Sequence, residues 1–191
     1  SPPGKGEKDA EKIIISESGK KLLSTLEVEI NDSVITTSFP NNQLVNQLFT
    51  NSMVKFHGNN PFRKRLNKNI PLVLLLQVIK KINDDPQLGS TGISRWELPL
   101  LIYWKDQDAD KLYKLIKELR NKYSLAPSQD VIVDLCRNTI MGGSEKKRSN
   151  KSIIDDYPDE FIRKMRITSL ISLRGGGRFI DINNSEIDSV N

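Results

Sequence analysis

The chain has 191 residues, with 29 Lys and Arg against 24 Asp and Glu, so its formal net charge is +5 and its sequence pI is near 9.2. This length allows one good core or two small ones, and so modest an excess favours polyanionic partners only where the cations cluster. The single cysteine, Cys136, excludes an internal disulfide framework, and the single histidine, His57, excludes a zinc site. The longest apolar run, from Pro71, is too short for a membrane span, so we expect a soluble, cytoplasmic protein.

The first residues predict little structure of their own. Residues 1–11 are rich in Pro, Gly and charge, which is typical of a linker or a cloning remnant. Lys12–Ile15 predicts a short strand, and a helix is expected from Glu17, capped by Ser16 or Ser18.

Residues 12–69 are expected to form a partial first unit that ends in a basic linker. Residues 28–39 alternate polar and β-branched side chains and predict an extended chain, whereas residues 43–56 place their apolar side chains on one helical face. Residues 59–69, NNPFRKRLNKN, have the composition of a loop and hold the densest cation cluster in the chain. That cluster consists of Arg63, Lys64, Arg65 and Lys68. Clustered cations release counterions from DNA, so phosphate contact is favoured over a merely solvated loop.

Residues 70–191 are expected to form a second, more complete unit. Pro71 suits the first turn of a helix, and residues 72–83 are apolar nearly all round, as in a buried helix. In ISRWEL, Ser94 and Glu97 have the spacing of a capping box, which predicts a helix from Ser94 to about Trp104.

Two further helices follow in the sequence. One is expected to start at Asp106 or Asp108 and to end near Lys122, and residues 131–141 favour a helix over a strand. Residues 142–151, GGSEKKRSNK, are typical of a mobile loop ordered by a partner. Its cations, expected as a second phosphate contact, are Lys146, Lys147, Arg148 and Lys151.

The end of the chain predicts a cationic helix followed by a β-hairpin. The helix is expected near Pro158, capped by Asp155 and Asp156, and it carries Arg163, Lys164 and Arg166. Apolar residues 170–173 and 179–182 suit two short strands, and three glycines between them can adopt the positive φ of a tight reversal. Arg174 and Arg178 flank those glycines and are expected to project from the tip, where a guanidinium suits phosphate or a guanine edge.

One pattern resembles a nuclease site. Asp134 precedes Glu145, Lys146 and Lys147 by about ten residues, which superficially matches the aspartate and Glu-x-Lys of Mg²⁺-dependent nucleases. Such ligands must be fixed by adjacent strands, whereas this Glu-x-Lys lies in a Gly, Ser and Lys-rich segment, so loop charge is the favoured interpretation. We therefore predict no catalytic residue, no metal site and no cofactor in this chain.

Four stretches taken together resemble a known family: IIISESGKKLL, PLVLLLQVIKKI, ISRWELPLLIYW and DEFIRKMRITSLISLRGGGRFIDIN. Their order is similar to that in the DNA-recognition region of the AlwI-like type IIS restriction and nicking endonucleases, a region related in plan to the recognition subdomains of FokI. The resemblance implies a mainly α chain with short β-hairpins and winged-helix (helix-turn-helix) architecture. It also implies a separate C-terminal PD-(D/E)xK nuclease domain, with Mg²⁺, outside this chain. The chain departs from the family's pattern because it starts midway through what would be a first winged-helix unit.

The sequence therefore predicts a sequence-specific double-stranded DNA recognition module of a type IIS restriction or nicking endonuclease. The predicted DNA-binding residues are Arg63, Lys64, Arg65, Lys68, Arg95, Lys146, Lys147, Arg148, Lys151, Arg163, Lys164, Arg166, Arg174 and Arg178. Two alternatives remain open: a stand-alone winged-helix regulator or protein-interaction module, and a small Mg²⁺-dependent nuclease.

Overall fold

A computed structural model describes residues 15–24, 26–31, 34–38, 42–54, 69–123, 127–140 and 148–184. The chain divides into two compact units, Ser1–Leu48 and Phe49–Asn191. The described part is mainly helical, with a few short antiparallel strands, as predicted. In this part of the chain, no helix is both long and apolar enough to cross a bilayer.

The smaller unit contains a short helix and a hairpin. Helix α1 spans Glu17–Leu23, and its Ser16 cap accepts a hydrogen bond from the backbone N–H of Gly19 at 3.1 Å, which confirms one of the two predicted caps. Strands β1 (Glu27–Asn31) and β2 (Val34–Ser38) pair in antiparallel register. The predicted extended region is thus a hairpin. The predicted strand at residues 12–15 lies largely outside the described residues.

Helix α2 (Asn42–Val54) confirms the helix predicted over residues 43–56, and the boundary between the two units falls within it. The larger unit then continues with α3 (Pro71–Asp84), β3 (Ile93–Ser94), α4 (Leu98–Ile102), α5 (Ala109–Lys122), α6 (Gln129–Asp134), α7 (Tyr157–Arg166), β4 (Ile171–Arg174) and β5 (Phe179–Ile182). A π-helical turn, Leu135–Ile140, extends α6, and another, Ser152–Asp156, leads into α7.

Helix α3 is the centre of the core, as its apolar composition predicts. Its side chains at Leu72, Leu75, Ile79 and Ile82 are fully buried, and the helix packs against α5 and β5. Pro71 occupies the first turn, where its missing N–H leaves no bond unmade. Asp108 caps α5 by accepting from the backbone N–H of Lys111 at 3.0 Å, which also agrees with the sequence prediction.

The three-stranded sheet has the order β3-β5-β4, and all its pairs are antiparallel. Strand β5 lies in the middle: Ile180 stands opposite Ile93 of β3 on one side and Leu173 of β4 on the other. Helix α7 contacts β4 and α4. The cationic helix and the hairpin that follows it therefore belong to one packed unit.

One predicted helix start is wrong. Ser94 is a strand residue opposite Phe179, so the chain turns at residues 95–97 and α4 begins only at Leu98, ending at Ile102 rather than near Trp104. Pro99 then lies in the first turn of α4, where a proline costs no hydrogen bond.

Helix α7 begins at Tyr157, next to Pro158 as predicted, but the predicted caps are wrong. Asp155 and Asp156 lie inside a continuous helical segment rather than capping it, because helical turns already begin at residue 150. Ser149 is the residue at the start: its hydroxyl oxygen accepts from the backbone N–H of Ser152 at 3.1 Å. Lys151 consequently lies on this helix and not in a loop.

Candidate nucleic-acid interface

The tip of the β4–β5 hairpin has the backbone that its sequence predicts. Gly175, Gly176 and Gly177 have φ values of 59°, 67° and 85°, a region that side chains with a Cβ rarely adopt. The strands close tightly beneath them, because Arg174 stands opposite Phe179. The hairpin is therefore short, with a turn made almost entirely of glycine.

Arg174 turns back onto its own sheet. Its guanidinium forms an ion pair with Asp181 at 2.6 Å and donates to the backbone oxygen of Ser90 at 2.7 Å. Asp181, which is largely buried, also accepts from the side-chain amide of Asn83 at 2.8 Å. The prediction that Arg174 projects from the tip is thus wrong, because the carboxylate of Asp181 holds it along the sheet. Its contact with DNA remains a prediction.

Arg178 is exposed immediately before β5, beside the glycine turn, as predicted. Its backbone oxygen accepts from the N–H of Arg95 at 2.8 Å, which continues the β3–β5 pairing by one residue. Residues that stand opposite each other in an antiparallel pair lie about 5 Å apart. Two of the predicted DNA-binding residues, Arg95 and Arg178, are therefore neighbours at one end of the paired strands β3 and β5.

Arg95 connects this end of the sheet to α7. Its guanidinium forms an ion pair with Asp159 in the first turn of α7, and the two side chains remain 35% and 43% exposed. This partner lies 64 residues away in the chain, so no local sequence pattern predicts it.

The cations of α7 are exposed, as the sequence predicts. Lys164 pairs with Glu160 one turn earlier, at 2.5 Å, and both side chains are 55% exposed. Arg163 Nε donates to the backbone oxygen of Asp159 at 3.4 Å, and Arg166 is exposed near the end of the helix. A shallow depression of about 470 Å³ runs along this face, and its lining mixes both charges: Asp156, Asp159, Glu160, Arg163, Lys164 and Ile167.

A buried ion pair holds the turn that carries Arg95. Glu97 is 4% exposed; its two carboxylate oxygens accept from Nε and Nη2 of Arg120, each at 2.7 Å. Glu97 also accepts from the backbone N–H of Ser94 at 2.7 Å, which is one half of the predicted capping box. Arg120 in turn donates to Thr91 and to the backbone oxygen of Gly92. The Glu97–Arg120 pair was not predicted, although the Ser-x-x-Glu spacing points to Glu97.

Arg148 is held by aromatic rings rather than lying in a mobile loop. Its guanidinium lies 4.8 Å from the ring centre of Tyr157 and 5.9 Å from that of Tyr103, within cation–π range. Burial raises the pKa of Tyr103 to about 12, and the positive charge of Arg148 opposes that rise. Arg148 is half-buried, so its packing competes with the phosphate contact that the sequence suggests.

The remaining predicted residues divide into two groups. Lys151 is exposed on the helical segment that leads into α7. Outside the described residues lie Arg63, Lys64, Arg65, Lys68, Lys146 and Lys147, and their contact with phosphate remains a prediction.

Comparison with known proteins gives the family of this chain. The family model for the AlwI restriction endonuclease matches residues 5–191, which is nearly the whole chain. The chain belongs to the AlwI restriction endonuclease family. This confirms the resemblance read from the four sequence stretches, and membership makes DNA the substrate class. No curated protein and no solved structure matches the chain.

The structure places one residue of the nuclease-like pattern, Asp134. Asp134 is exposed at the end of α6, and Glu145, Lys146 and Lys147 lie outside the described residues. Within the described ranges, no group of three or more His, Cys, Asp or Glu could hold a metal ion. The described part of this AlwI family chain therefore offers cationic contacts but no assembled metal centre.

Cys136 is a packing residue. It is fully buried in the core, and burial alone raises the pKa of its thiol to about 12. A thiol with so high a pKa supplies almost no thiolate near neutral pH, so it is unsuited to nucleophilic chemistry.

Proposed function

We propose that this chain is the sequence-specific double-stranded DNA recognition module of a type IIS restriction or nicking endonuclease. In this proposal the nuclease domain and its Mg²⁺ lie outside the chain, C-terminal to the recognition region, and the present residues bind and read the duplex. The observation that carries it is the arrangement at the chain's end: an exposed cationic helix, α7, runs directly into a glycine-tipped hairpin, β4–β5, that packs with it.

The order of the elements supports a winged-helix interpretation. A helix, α3, is followed by a single short strand, β3, then a helix, α4; after intervening helices come α7 and the hairpin. Strand β3 pairs with the second strand of that hairpin, which gives the sheet order β3-β5-β4. In a winged-helix unit the first strand joins the sheet in this way, the helix before the hairpin enters a groove, and the hairpin forms the wing. Helices α5 and α6 would then be an insertion between the two helices of the helix-turn-helix.

The predicted DNA-binding cations divide into base-reading and phosphate-binding roles under this proposal. Arg163, Lys164 and Arg166 on α7 would lie near the major groove, because a recognition helix presents its exposed side chains to base edges. Arg178 and Arg95 would contact the duplex from the hairpin side. The basic segment with Arg63 and Arg65 would bind backbone phosphates, which position a protein without reading sequence.

A selection from a duplex pool with a randomised central segment tests the proposal. Enrichment of one short asymmetric motif is the expected result. No enrichment, together with weak binding that no alanine variant changes, would contradict it. Mg²⁺-dependent cleavage by this purified chain, lost on Asp134→Ala or Glu145→Ala, would establish the nuclease alternative instead.

Alanine substitutions then separate the two roles. Arg166→Ala should weaken binding to the selected duplex by about 1–3 kcal/mol, with little effect on a random duplex. Arg65→Ala should weaken both duplexes similarly and flatten the dependence of log K on log salt concentration by about one unit. Lys114→Ala, which removes an exposed lysine of α5, is the control and should change neither quantity.

A further inference from the structure

Asp159 lies where three elements of the proposed interface meet. It is on the first turn of α7, its carboxylate pairs with Arg95 in the turn after β3, and the backbone of Arg95 is bonded to Arg178 of the hairpin. Its negative charge repels the phosphates that Arg95 and Arg178 would attract.

The structure fixes the backbone of Arg95 on both sides. On one side, its N–H donates to the oxygen of Arg178 at 2.8 Å. On the other, the buried Glu97–Arg120 pair holds the turn through the N–H of Ser94. A long side chain on a fixed backbone still samples many rotamers, and Asp159 is the group that restrains this one.

Asp159 leaves part of the Arg95 fork available. Within the described part of the chain, the Arg95 guanidinium donates from Nη2 to Asp159, whereas a guanidinium has five N–H donors in a planar arrangement. The side chain is also 35% exposed, so the remaining donors can reach a ligand. A restrained fork with free donors is suited to the two acceptors of a guanine edge, and ordering it in advance reduces the entropy lost on binding.

We infer that Asp159 is a positioning residue that determines specificity: it aims Arg95 at a base edge and disfavours phosphate at that place. The inference rests on the proposed DNA-recognition function. The adjacent carboxylate repels a backbone phosphate but not a neutral base edge, so Asp159 lowers binding to random duplex and leaves readout intact.

The test compares Asp159→Asn, Arg95→Ala and the double variant of the full 191-residue chain. Binding is measured to the duplex selected from the randomised pool and to a random-sequence duplex, at several salt concentrations. Asp159→Asn should bind the random duplex more tightly. Its affinity for the selected duplex relative to the random duplex should fall about tenfold, which is the loss expected for one base contact. Arg95→Ala should lose a similar ratio, and the double variant should lose no more than Arg95→Ala alone.

Two further variants separate positioning from charge. Asp159→Glu keeps the charge but moves the carboxylate by one methylene, so discrimination should fall without tighter binding to random duplex. Asp155→Asn removes an exposed acid from the same helical segment and serves as the matched charge control. It should tighten binding to both duplexes equally, if it changes binding at all.

Equal effects of Asp159→Asn and Asp155→Asn on both duplexes would overturn the inference and leave the proposed function standing. A loss of discrimination in Asp159→Asn that persists in the Arg95→Ala background would also overturn it, because Asp159 would not then act through Arg95. Absence of any salt-dependent DNA binding by the unsubstituted chain would overturn the proposed function and this inference together.

Discussion

At the scale of single residues, the buried pair of Glu97 and Arg120 has a large expected effect on stability. Breaking a buried ion pair leaves one charge without its partner, and this costs about 3–5 kcal/mol. Arg120→Ala should therefore lower the free energy of unfolding by about 3 kcal/mol in chemical denaturation, since Arg120 retains some exposure. Lys114→Ala on the same helix is the control, with a change within about 0.5 kcal/mol. Similar small losses in both variants would contradict this assignment.

Asp85 gives the protein a pH-dependent contribution to stability. Hydrogen bonds from Lys117 at 2.7 Å and Tyr113 at 2.5 Å, with a backbone N–H of Gln87, lower the pKa of Asp85 from 3.8 to about 2. Because its folded pKa is below its unfolded pKa, the folded state binds fewer protons between these values. This stabilisation is full above about pH 4 to 5 and is lost as the pH falls toward 2.

Comparing Asp85→Asn with the unsubstituted chain tests this sign. The difference in unfolding free energy should be largest near pH 6 and should shrink steadily as the pH is lowered from 4 to 2. Asp84→Asn removes the neighbouring, exposed carboxylate, which contacts Lys80, and should change stability at pH 6 by less than about 0.5 kcal/mol. A difference for Asp85→Asn that stays constant over this range would contradict the proposed network.

At the scale of elements, the close approach of β3 and β5 depends on Gly92. Its φ is +68°, and a Cβ there would lie 2.3 Å from the backbone oxygen of Ile180. Gly92→Ala should therefore lower the free energy of unfolding by about 1–2 kcal/mol because of the positive φ, and by a further amount because the strand must move. Gly89 has nearly the same φ, +66°, with nothing within 4 Å of its Cβ position, so Gly89→Ala should cost only the first amount. Equal losses of stability in the two variants, measured by thermal unfolding, would show that β3 and β5 can move apart without cost.

Sequence patterns located most elements and missed how they are joined. The helices from Pro71 and Asp108 and the hairpin around Gly176 depend on local signals, namely a proline in a first turn, a cap and positive-φ glycines, so they were predicted correctly. The start of α4 was misplaced because Ser94 pairs with Phe179, a contact 85 residues away that no local signal contains. The local sequence permits either a helix start or a strand at Ser94, and the tertiary pairing with β5 selects the strand.

The same limit applies to the candidate site. The cations of α7 and the hairpin were identified from residue type and order, because arginines next to a helix and a glycine turn are visible in the sequence. Their carboxylate partners were not: Asp159 lies 64 residues from Arg95, and Asp181 reaches Arg174 across the register of the β4–β5 hairpin. Residue type therefore located the cationic surface, whereas the direction in which each guanidinium points required the three-dimensional structure.

At the scale of the whole molecule, the buried hydrophobic side chains of the described residues lie in the larger unit. Its buried side chains run from Leu72 to Ile180, and Met53 of α2 packs against them. A chain that begins at Asn42 keeps all of these residues and removes the β1–β2 hairpin. Because stability follows the buried apolar surface, we expect this shortened chain to unfold within about 2 °C of the full chain.

Leu75→Ala in the full chain provides the scale for this comparison, since truncating a fully buried leucine costs about 2–5 kcal/mol. Calorimetry of the full chain, the shortened chain and Leu75→Ala measures all three midpoints under one condition. If the unfolding midpoint of the shortened chain falls as far as that of Leu75→Ala, the expectation is wrong and residues 1–41 stabilise the larger unit. An unchanged midpoint allows DNA binding to be compared in the two chains, so that any loss of affinity can be assigned to the residues removed and not to unfolding.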